Sequence, residues 1–299
     1  MVTGGAGFIG SNLVDALVRR GDAVTILDDL STGRRENLDG ALAVGATLVE
    51  ASITDAPAVE AAFATARPEV VHHLAAQIDV RRSVRDPAFD AEVNVAGTAT
   101  VLEAAQRAGA GRVVLASTGG ALYGEAGVVP TPESAAIRPL SPYGAAKAAA
   151  ELYMQLYRRL HGLRTFSLRL ANVYGPRQDP RGEAGVIAVF CARALEGGRA
   201  TVFGDGRQTR DFVYVGDVVD AFVAAGVSDA EGACNVSTGT ETTVLELASA
   251  LGIEVDHAAE RPGEVRRSCL DPTAAARMLG WTARVPLAEG LERTLAAAR

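Results

Sequence analysis

The chain has 299 residues, of which 48% are hydrophobic and 22% charged, and its formal net charge at pH 7 is −7. This composition predicts a globular protein with a sizeable core, and the acidic balance argues against nucleic acid as a partner. The sequence contains no apolar run long enough to cross a membrane, so we expect no membrane partner. Three scattered cysteines match neither a disulfide framework nor a metal site, which favours the cytoplasm and predicts no bound metal.

In the first half of the chain, apolar runs alternate with segments of helical periodicity. The apolar runs predict strands at Ala23–Leu27, Thr47–Val49, Val70–Leu74, Arg112–Ala116 and Thr165–Arg169. The periodic segments predict helices over Ser11–Arg20, Pro57–Ala66, Asn94–Ala108 and Tyr143–His161. Because parallel strands need crossover connections, this alternation predicts an α/β fold with a Rossmann-like doubly wound parallel sheet.

After about residue 171, proline and glycine interrupt the alternation and the predicted elements become shorter. This change indicates a smaller mixed α/β substrate domain at the carboxyl side of the sheet. Phe212–Val227 and Ala233–Val236 have the pattern of a return to the first domain. We therefore expect a cofactor domain of residues 1–171 with about 212–236, and a substrate domain of about 172–211 with 237–299.

A glycine-rich stretch with Gly4, Gly7 and Gly10 opens the chain. Glycines at this spacing let backbone N–H groups approach a pyrophosphate at the start of a helix, although a glycine-rich surface turn has the same composition. Only Met1–Thr3 precede the stretch. The expected first strand is therefore either very short or begins upstream of this sequence.

An acidic pair follows the second predicted strand. Asp28 lies close to the usual offset from Gly10 for a carboxylate that binds the ribose of a dinucleotide. A carboxylate there accepts hydrogen bonds from ribose hydroxyls and repels a 2′-phosphate, which favours NAD over NADP. The role of Asp29 is more ambiguous, and Arg34 and Arg35 could weaken the preference.

A tyrosine and a lysine stand four residues apart at the start of the fourth predicted helix. Tyr143 and Lys147 therefore share one helix face, which by itself also fits an ordinary amphipathic helix. The pKa of a free phenol is about 10, and we expect a nearby ammonium and an oxidised nicotinamide to lower it. Ser117 and Thr118 end a predicted strand, where a hydroxyl could share the substrate's proton with Tyr143.

Motifs along the whole chain give it a family resemblance. They are TGGAGFIGSNL, DDLSTGRREN, HLAAQIDVRRSV, NVAGT, SPYGAAK, RLANVYGPRQDP, VFGDGRQTRDFVYVGDV, RPGEVRR and LGW. In this order the motifs resemble the extended short-chain dehydrogenase/reductase family, and within it the nucleotide-sugar epimerase/dehydratase branch of the UDP-glucose 4-epimerase type. The resemblance implies NAD as cofactor, a UDP-sugar as substrate and a homodimer formed through the helices Asn94–Ala108 and Tyr143–His161.

The resemblance also implies which residues form the site. It implies that the catalytic residues are Thr118, Tyr143 and Lys147. The cofactor would contact Gly4, Gly7, Phe8, Ile9, Gly10, Asp28, Asp29, Ser31, Thr32, Gly33, Ser52, Ile53, Leu74, Ala75, Ala76, Asn94, Tyr143 and Lys147. The substrate would contact Ser117, Thr118, Asn172, Val186, Val202, Phe203, Gln208, Arg210 and Arg261.

Two positions depart from the family pattern. Many members carry an acid followed by isoleucine where this chain has Ser52 and Ile53, so we expect a weaker contact to adenine. The usual catalytic serine falls on Gly119 when counted back from Tyr123, and on Thr118 when counted forward along the strand. We therefore expect a one-residue insertion within Gly119–Ala121 and assign Thr118, with Ser117 as the alternative.

The activity that the resemblance implies is C4 epimerisation of a UDP-hexose through a transient 4-keto sugar and NADH. Ser268 leaves room at the sugar's C2, so UDP-N-acetylglucosamine is an alternative substrate. Arginines at positions 181, 266 and 267 leave UDP-glucuronate open, although they also fit a solvated basic surface. A nucleotide-sugar 4,6-dehydratase is disfavoured because Gly119 and Gly120 stand where that branch has carboxylates. A non-catalytic NAD-binding sensor is disfavoured because the catalytic residue types are intact.

Overall fold

The structure, a computed structural model, describes residues 1–181, 185–260 and 265–299. In chain order its strands are β1 Val2–Thr3, β2 Thr25–Asp28, β3 Thr47–Glu50, β4 Val70–His73, β5 Arg112–Thr118, β6 Arg164–Leu170, β7 Asn172–Tyr174, β8 Ala200–Phe203, β9 Thr209–Arg210, β10 Phe212–Tyr214, β11 Gly232–Val236, β12 Thr242–Thr243, β13 Val255–Ala258 and β14 Arg267–Ser268. The helices are α1 Phe8–Arg20, α2 Asp39–Ala43, α3 Ala56–Ala66, α4 Val80–Arg85, α5 Pro87–Ala91, α6 Gly97–Arg107, α7 Gly119–Tyr123, α8 Pro142–His161, α9 Val186–Glu196, α10 Val215–Val227, α11 Val244–Ala250, α12 Thr273–Leu279 and α13 Leu287–Ala298.

The large sheet is a doubly wound parallel sheet, as the sequence predicts. Its strand order is β3–β2–β1–β4–β5–β6–β11, and every neighbouring pair is parallel. The chain starts at β1, moves outward through β2 to β3, and then crosses back to β4 on the other side of β1. This reversal opens a crevice at the carboxyl ends of β1 and β4, where ligands bind in such sheets.

Helices cover both faces of the large sheet. On one face α1 packs against α10, and their apolar residues join a core that also includes Val2, Ile26 and Val114. On the other face α3, α6 and α8 bury Phe63, Leu102 and Met154. Burial on both faces explains why the strands have continuous apolar runs rather than an alternating pattern.

The boundaries of several predicted elements shift in an informative way. The first helix begins at Phe8 rather than Ser11, so Gly10 lies inside its first turn. The predicted helix Asn94–Ala108 is divided into a π-helical turn over Glu92–Ala96 followed by α6. β1 is only two residues long, yet it pairs with both β2 and β4 in the centre of the sheet.

The smaller half begins beyond the carboxyl end of β6, and its described strands form short pairings apart from the large sheet. β8 pairs with β13, β9 lies between β12 and β14, and β7 pairs with β10, the strand that begins the predicted return to the first domain. The predicted return of the chain over Phe212–Val227 consists of β10 followed directly by α10. Within the described residues, no helix combines the length and the apolar character needed to cross a lipid bilayer.

Candidate active site

The glycine-rich loop connects β1 to α1 at the centre of the sheet. Gly4 has a φ of +71°, and a Cβ on it would lie 2.5 Å from the backbone nitrogen of Ala75. A Cβ on Gly10 would lie 2.1 Å from the carbonyl oxygen of Gly4. Backbone therefore packs directly on backbone, and the first-turn N–H groups of α1 face the crevice with no side chain between them. This loop fits the pyrophosphate of a dinucleotide.

Asp28 ends β2 beside this loop. Its carboxylate accepts hydrogen bonds from the backbone N–H of Ala6 at 2.8 Å and from that of Leu30 at 2.9 Å. Burial raises the pKa of the Asp28 carboxyl. A Cβ on Gly33 would lie 2.9 Å from an Asp28 oxygen, so the following loop closes over the carboxylate. Asp28 is thus placed where the sequence expects a ribose-binding carboxylate.

The other predicted cofactor residues differ in how exposed they are and in what they contact. Asp29 is exposed and accepts a hydrogen bond from the Ser31 hydroxyl at 2.5 Å, and Thr32 is also exposed. The Ser52 hydroxyl hydrogen-bonds that of Thr54 at 2.9 Å, within its own turn. Ile53 is buried in the core rather than exposed in the crevice. Phe8, Ile9 and Leu74 are partly buried and pack against the core of the large sheet.

Thr118, Tyr143 and Lys147 meet at the carboxyl end of β5. Thr118 is the last residue of that strand, and its hydroxyl lies close enough to Tyr143 to lower the pKa of that phenol. Ser141 caps α8 by accepting a hydrogen bond from the Gly144 N–H at 3.2 Å, which places Tyr143 in the first turn. Thr118 also accepts a 3.4 Å hydrogen bond from the backbone of the short helix α7. Strand end and helix start therefore hold the two hydroxyls together.

The electrostatics of this cluster differ from the sequence expectation. Burial and the charge of Asp90 raise the pKa of Tyr143 well above that of a free phenol, and the hydrogen bond with Thr118 only partly opposes this. Burial lowers the pKa of Lys147 to about 8. The Lys147 ammonium donates a hydrogen bond to the carbonyl of Ala116 at 3.0 Å. Protein side chains alone therefore favour the neutral phenol, against our expectation of a lowered pKa.

Ser117, the alternative hydroxyl, lies in a different environment. It is buried and donates a 2.6 Å hydrogen bond to Glu151. Glu151 forms a buried ion pair with Arg169 at 2.7 Å, and Arg169 also donates to the hydroxyl of Tyr123 at 2.8 Å. The Ser117 hydroxyl is thus committed to a structural network behind the strand, and only Thr118 is directed to Tyr143.

Asn94 and Asp90 form a polar cluster that the sequence analysis only partly anticipated. The Asn94 side-chain oxygen accepts a 3.0 Å hydrogen bond from the Gln77 backbone N–H, and its side-chain nitrogen donates a 2.9 Å hydrogen bond to the Gln77 carbonyl. Asp90 is fully buried and accepts hydrogen bonds from the side chains of Gln77 at 2.7 Å and Asn94 at 3.1 Å. Asn94 therefore shapes the segment after β4 that includes Ala75 and Ala76.

Asp90 is a charged group of this site that the sequence analysis missed. Its second carboxylate oxygen is buried without a hydrogen-bond partner among the described residues. Its charge acts on both Tyr143 and Lys147, raising the pKa of each. The signal was present in the sequence, since Asp90 lies one helical turn before Asn94 and so shares its face.

The two neighbouring histidines of β4 are structural. His73 hydrogen-bonds the hydroxyls of Thr3 at 2.7 Å and Thr98 at 3.0 Å, and burial lowers its pKa to about 3. His72 packs edge-on against Phe222. Within the described ranges, no group of three or more potential ligands could hold a metal ion.

Apart from Ser117 and Thr118 on β5, the predicted substrate residues lie in the smaller half. Asn172 is exposed at the start of β7, and Val186 is the first residue of α9. Gln208 donates a 3.0 Å hydrogen bond to the Phe203 carbonyl, and Arg210 donates to that of Thr209 at 2.8 Å. Phe203 and Gln208 line a small depression together with Gly204, Glu260 and Arg266.

Some residues predicted on the substrate side do not line the depression. The Val202 side chain is buried in the core, so it supports the depression from below rather than lining it. Arg261 lies outside the described residues. Two of the three arginines that made UDP-glucuronate an alternative substrate already form ion pairs. Arg266 donates two hydrogen bonds to Asp205, and Arg267 pairs with Glu241. The solvated basic surface is thus the better interpretation of these two residues.

Comparison with known proteins gives consistent matches over the whole chain. A family model described as the NAD dependent epimerase/dehydratase family matches residues 1–237. A UDP-glucose 4-epimerase of Mycolicibacterium smegmatis is 50% identical over 303 residues, which cover 99% of this chain and 96% of that protein.

Two solved structures share both the fold and much of the sequence. A UDP-glucose 4-epimerase of Thermotoga maritima, solved with UDP-glucose, has a TM-score of 0.96 at 46% identity, covering 100% of this chain and 97% of the other. A UDP-glucose 4-epimerase of Thermus thermophilus, solved in complex with NAD, has a TM-score of 0.92 at 44% identity, covering 99% and 97%. The fold class predicted from the sequence is therefore confirmed.

Proposed function

Because this chain belongs to the NAD-dependent epimerase/dehydratase family, we propose that it catalyses NAD-dependent C4 epimerisation of a UDP-hexose of the UDP-glucose/UDP-galactose type. The resemblance predicted from the sequence is thus confirmed at the level of the family. The observation that carries the proposal is that Thr118 ends β5 beside Tyr143 of α8, while Lys147 of the same helix bonds the β5 carbonyl of Ala116. The three relatives described above, at 50%, 46% and 44% identity, are UDP-glucose 4-epimerases, which supports the same substrate class.

The two halves of the chain divide the binding. We propose that residues 1–171 with 212–236 hold NAD, and that residues 172–211 with 237–299 hold the nucleotide sugar. Asp28 and the loop containing Gly4 and Gly10 would hold the adenosine ribose and the pyrophosphate of NAD. Asn172, Phe203, Gln208 and the arginines at 210 and 261 would hold the UDP-sugar.

The proposed reaction moves one hydride and one proton at the sugar's C4. The chemistry that NAD supplies when bound is reversible acceptance of the hydride. Tyr143 takes the proton of the C4 hydroxyl and later returns it, while Thr118 shares that hydrogen bond. Binding of the UDP part leaves the keto sugar free to turn, so that its opposite face can receive the hydride.

Lys147 is the cation that this chain provides for the proton transfer. Burial favours the neutral form of Tyr143, so formation of the phenolate depends on positive charge beside the phenol. With a pKa of about 8, Lys147 remains mostly protonated at neutral pH. Its hydrogen bond to the Ala116 carbonyl fixes the ammonium at the strand end.

A substrate panel with product analysis tests the proposal. The chain should convert UDP-glucose to UDP-galactose, and Tyr143→Phe should abolish conversion with little effect on UDP binding. Release of a dehydrated 4-keto-6-deoxy sugar would instead identify a dehydratase. That result is disfavoured because Gly119 and Gly120 stand where the dehydratase branch has carboxylates. Absence of turnover with every sugar would favour the non-catalytic sensor.

UDP-N-acetylglucosamine and UDP-glucuronate complete the panel. Ser268 is half-buried in β14, and a Cβ on Gly120 would lie 3.4 Å from its hydroxyl. A small residue at this position supports acceptance of a bulkier C2 substituent. The ion pairs of Arg266 and Arg267 reduce the support for a C6 carboxylate.

We also propose that the protein is a cytoplasmic homodimer. The outer face of α8 exposes Leu152, Leu156 and Leu160 at one-turn spacing, with Leu160 70% exposed. A contiguous apolar stripe of this kind marks a protein interface more often than a free surface. Pairing of α6 and α8 with their copies would cover it. Three buried cysteines without disulfide partners support a reducing compartment.

A further inference from the structure

A segment of the smaller half, Gly175–Arg181, reaches back to the cofactor side of the molecule. Asn12 on α1 donates a 3.2 Å hydrogen bond to the backbone of Pro176. Asp15, one turn later on α1, forms a 2.7 Å ion pair with Arg177. The segment is therefore fastened along the helix that begins at the glycine-rich loop.

The same segment contacts the loop that closes over Asp28. Arg34 in that loop donates its backbone N–H to the Ala6 carbonyl at 3.0 Å, while the Ala6 N–H bonds Asp28. Arg34 thus binds the carbonyl of Ala6 and Asp28 binds its N–H, so both contact the same residue of the glycine-rich loop. This places the Arg34 backbone beside the carboxylate expected to bind the adenosine ribose.

An arginine near the ribose-binding carboxylate of a dinucleotide site can accommodate NADP. Its guanidinium can bind the 2′-phosphate that distinguishes NADP from NAD. In this chain the Arg34 guanidinium forms a 2.7 Å ion pair with Asp179. Asp179 also accepts a 2.9 Å hydrogen bond from the backbone N–H of Arg181, which orients its carboxylate. These two contacts hold the pKa of Asp179 below its usual range.

We propose that Asp179 is a cofactor-specificity residue: by pairing with Arg34 it withdraws the cation that would bind a 2′-phosphate. Asp28 and Asp179 then exclude NADP in two ways, one by repelling the phosphate and the other by occupying its arginine. The proposal rests on the proposed function, because it requires that the glycine-rich loop bind a dinucleotide. It adds a specificity residue that comes from the smaller half of the chain.

The test compares the dissociation constants of NAD and NADP for the full chain, freed of nucleotide, by titration calorimetry. Asp179→Asn keeps the acceptor for the Arg181 N–H but removes the charge that holds Arg34. Since the pair is exposed, we expect the fold to be unaffected and NADP binding to tighten about fivefold. NAD binding should stay within about twofold. The gain should shrink at high salt, because exposed charges are screened.

Asp15→Asn is the matched control, since it breaks the other ion pair of the segment without freeing Arg34. If it tightened NADP binding as much as Asp179→Asn, loosening of the segment would be the cause and the proposal would be overturned. The effect of Asp179→Asn must also disappear in an Arg34→Ala background. An unchanged NADP-to-NAD ratio in Asp179→Asn overturns the role of Asp179 alone. Failure of the unaltered chain to bind NAD would overturn the proposed function as well.

Discussion

Replacing Glu151 with glutamine should destabilise the protein strongly, because this carboxylate neutralises a buried arginine. The side chains of Glu151 and Arg169 are 3% and 8% exposed. One Glu151 oxygen accepts hydrogen bonds from Ser117 at 2.6 Å and from Arg169 Nε at 3.1 Å, and the other accepts from Arg169 Nη2 at 2.7 Å. The amide of glutamine must turn an N–H₂ group toward one of these donors and leaves the guanidinium without its counter-charge.

Breaking a buried ion pair by removing one partner costs about 3–5 kcal/mol. Glu103→Gln is the matched control, because Glu103 pairs with Arg107 at 2.6 Å while both side chains are more than half exposed. Such an exposed helix pair contributes only about 0.3–0.5 kcal/mol. The free energy of unfolding, measured by urea denaturation at pH 7, should therefore fall about tenfold more for Glu151→Gln than for the control.

If Glu151→Gln lowered the free energy of unfolding by less than about 1 kcal/mol, the reasoning would be refuted, since such a loss is typical of an exposed pair and not of a buried one. Glu151→Gln should also slow epimerisation, because Ser117 precedes Thr118 on β5 and would lose its anchor. Glu103→Gln should leave the rate unchanged.

Asp90→Asn removes a negative charge that raises the pKa of Tyr143, the proposed base, so the acid limb of kcat/KM should move to lower pH; an unmoved limb with a lower plateau would limit Asp90 to packing. Gly10→Ala should weaken NAD binding at least about tenfold because its Cβ collides with backbone, whereas Gly40→Ala, which meets no atom within 4 Å, should bind NAD normally. Leu156→Glu should convert the proposed dimer to a monomer in analytical ultracentrifugation, while Val44→Glu, at a 68% exposed position away from α8, should not.

Local spacing explains what the sequence could predict. The glycine-rich loop and Asp28 belong to one strand–helix–strand unit, and Tyr143 and Lys147 lie one helical turn apart. Such relations are fixed by the geometry of single elements, so the sequence states them directly. The parallel arrangement of the large sheet follows in the same way, because strands separated by helices need crossover connections, whereas the strand order is a finding of the structure.

The features that the sequence could not predict depend on contacts between distant segments of the chain. Glu151 and Arg169 belong to a helix and a strand, and their pairing with Ser117 depends on how these elements pack. Neighbouring cations alone predict a lowered pKa for Tyr143, whereas burial and the charge of Asp90 raise it. The inward direction of Val202 could have been read from the alternation in β8, where Ala200 and Val202 are buried and Thr201 is exposed.

The position of β11 at the edge of the large sheet limits how this protein can be recombined with its relatives. β11 pairs with β6 along its full length, but the chain passes through part of the smaller half between these two strands. A chimera with one crossover after β6 would thus take an edge strand from one parent and its neighbour from the other. Under the proposed division of binding, exchange of sugar preference by gene shuffling requires at least three crossovers, at about residues 171, 212 and 236. Residues 172–211 and 237–299 are then inherited together.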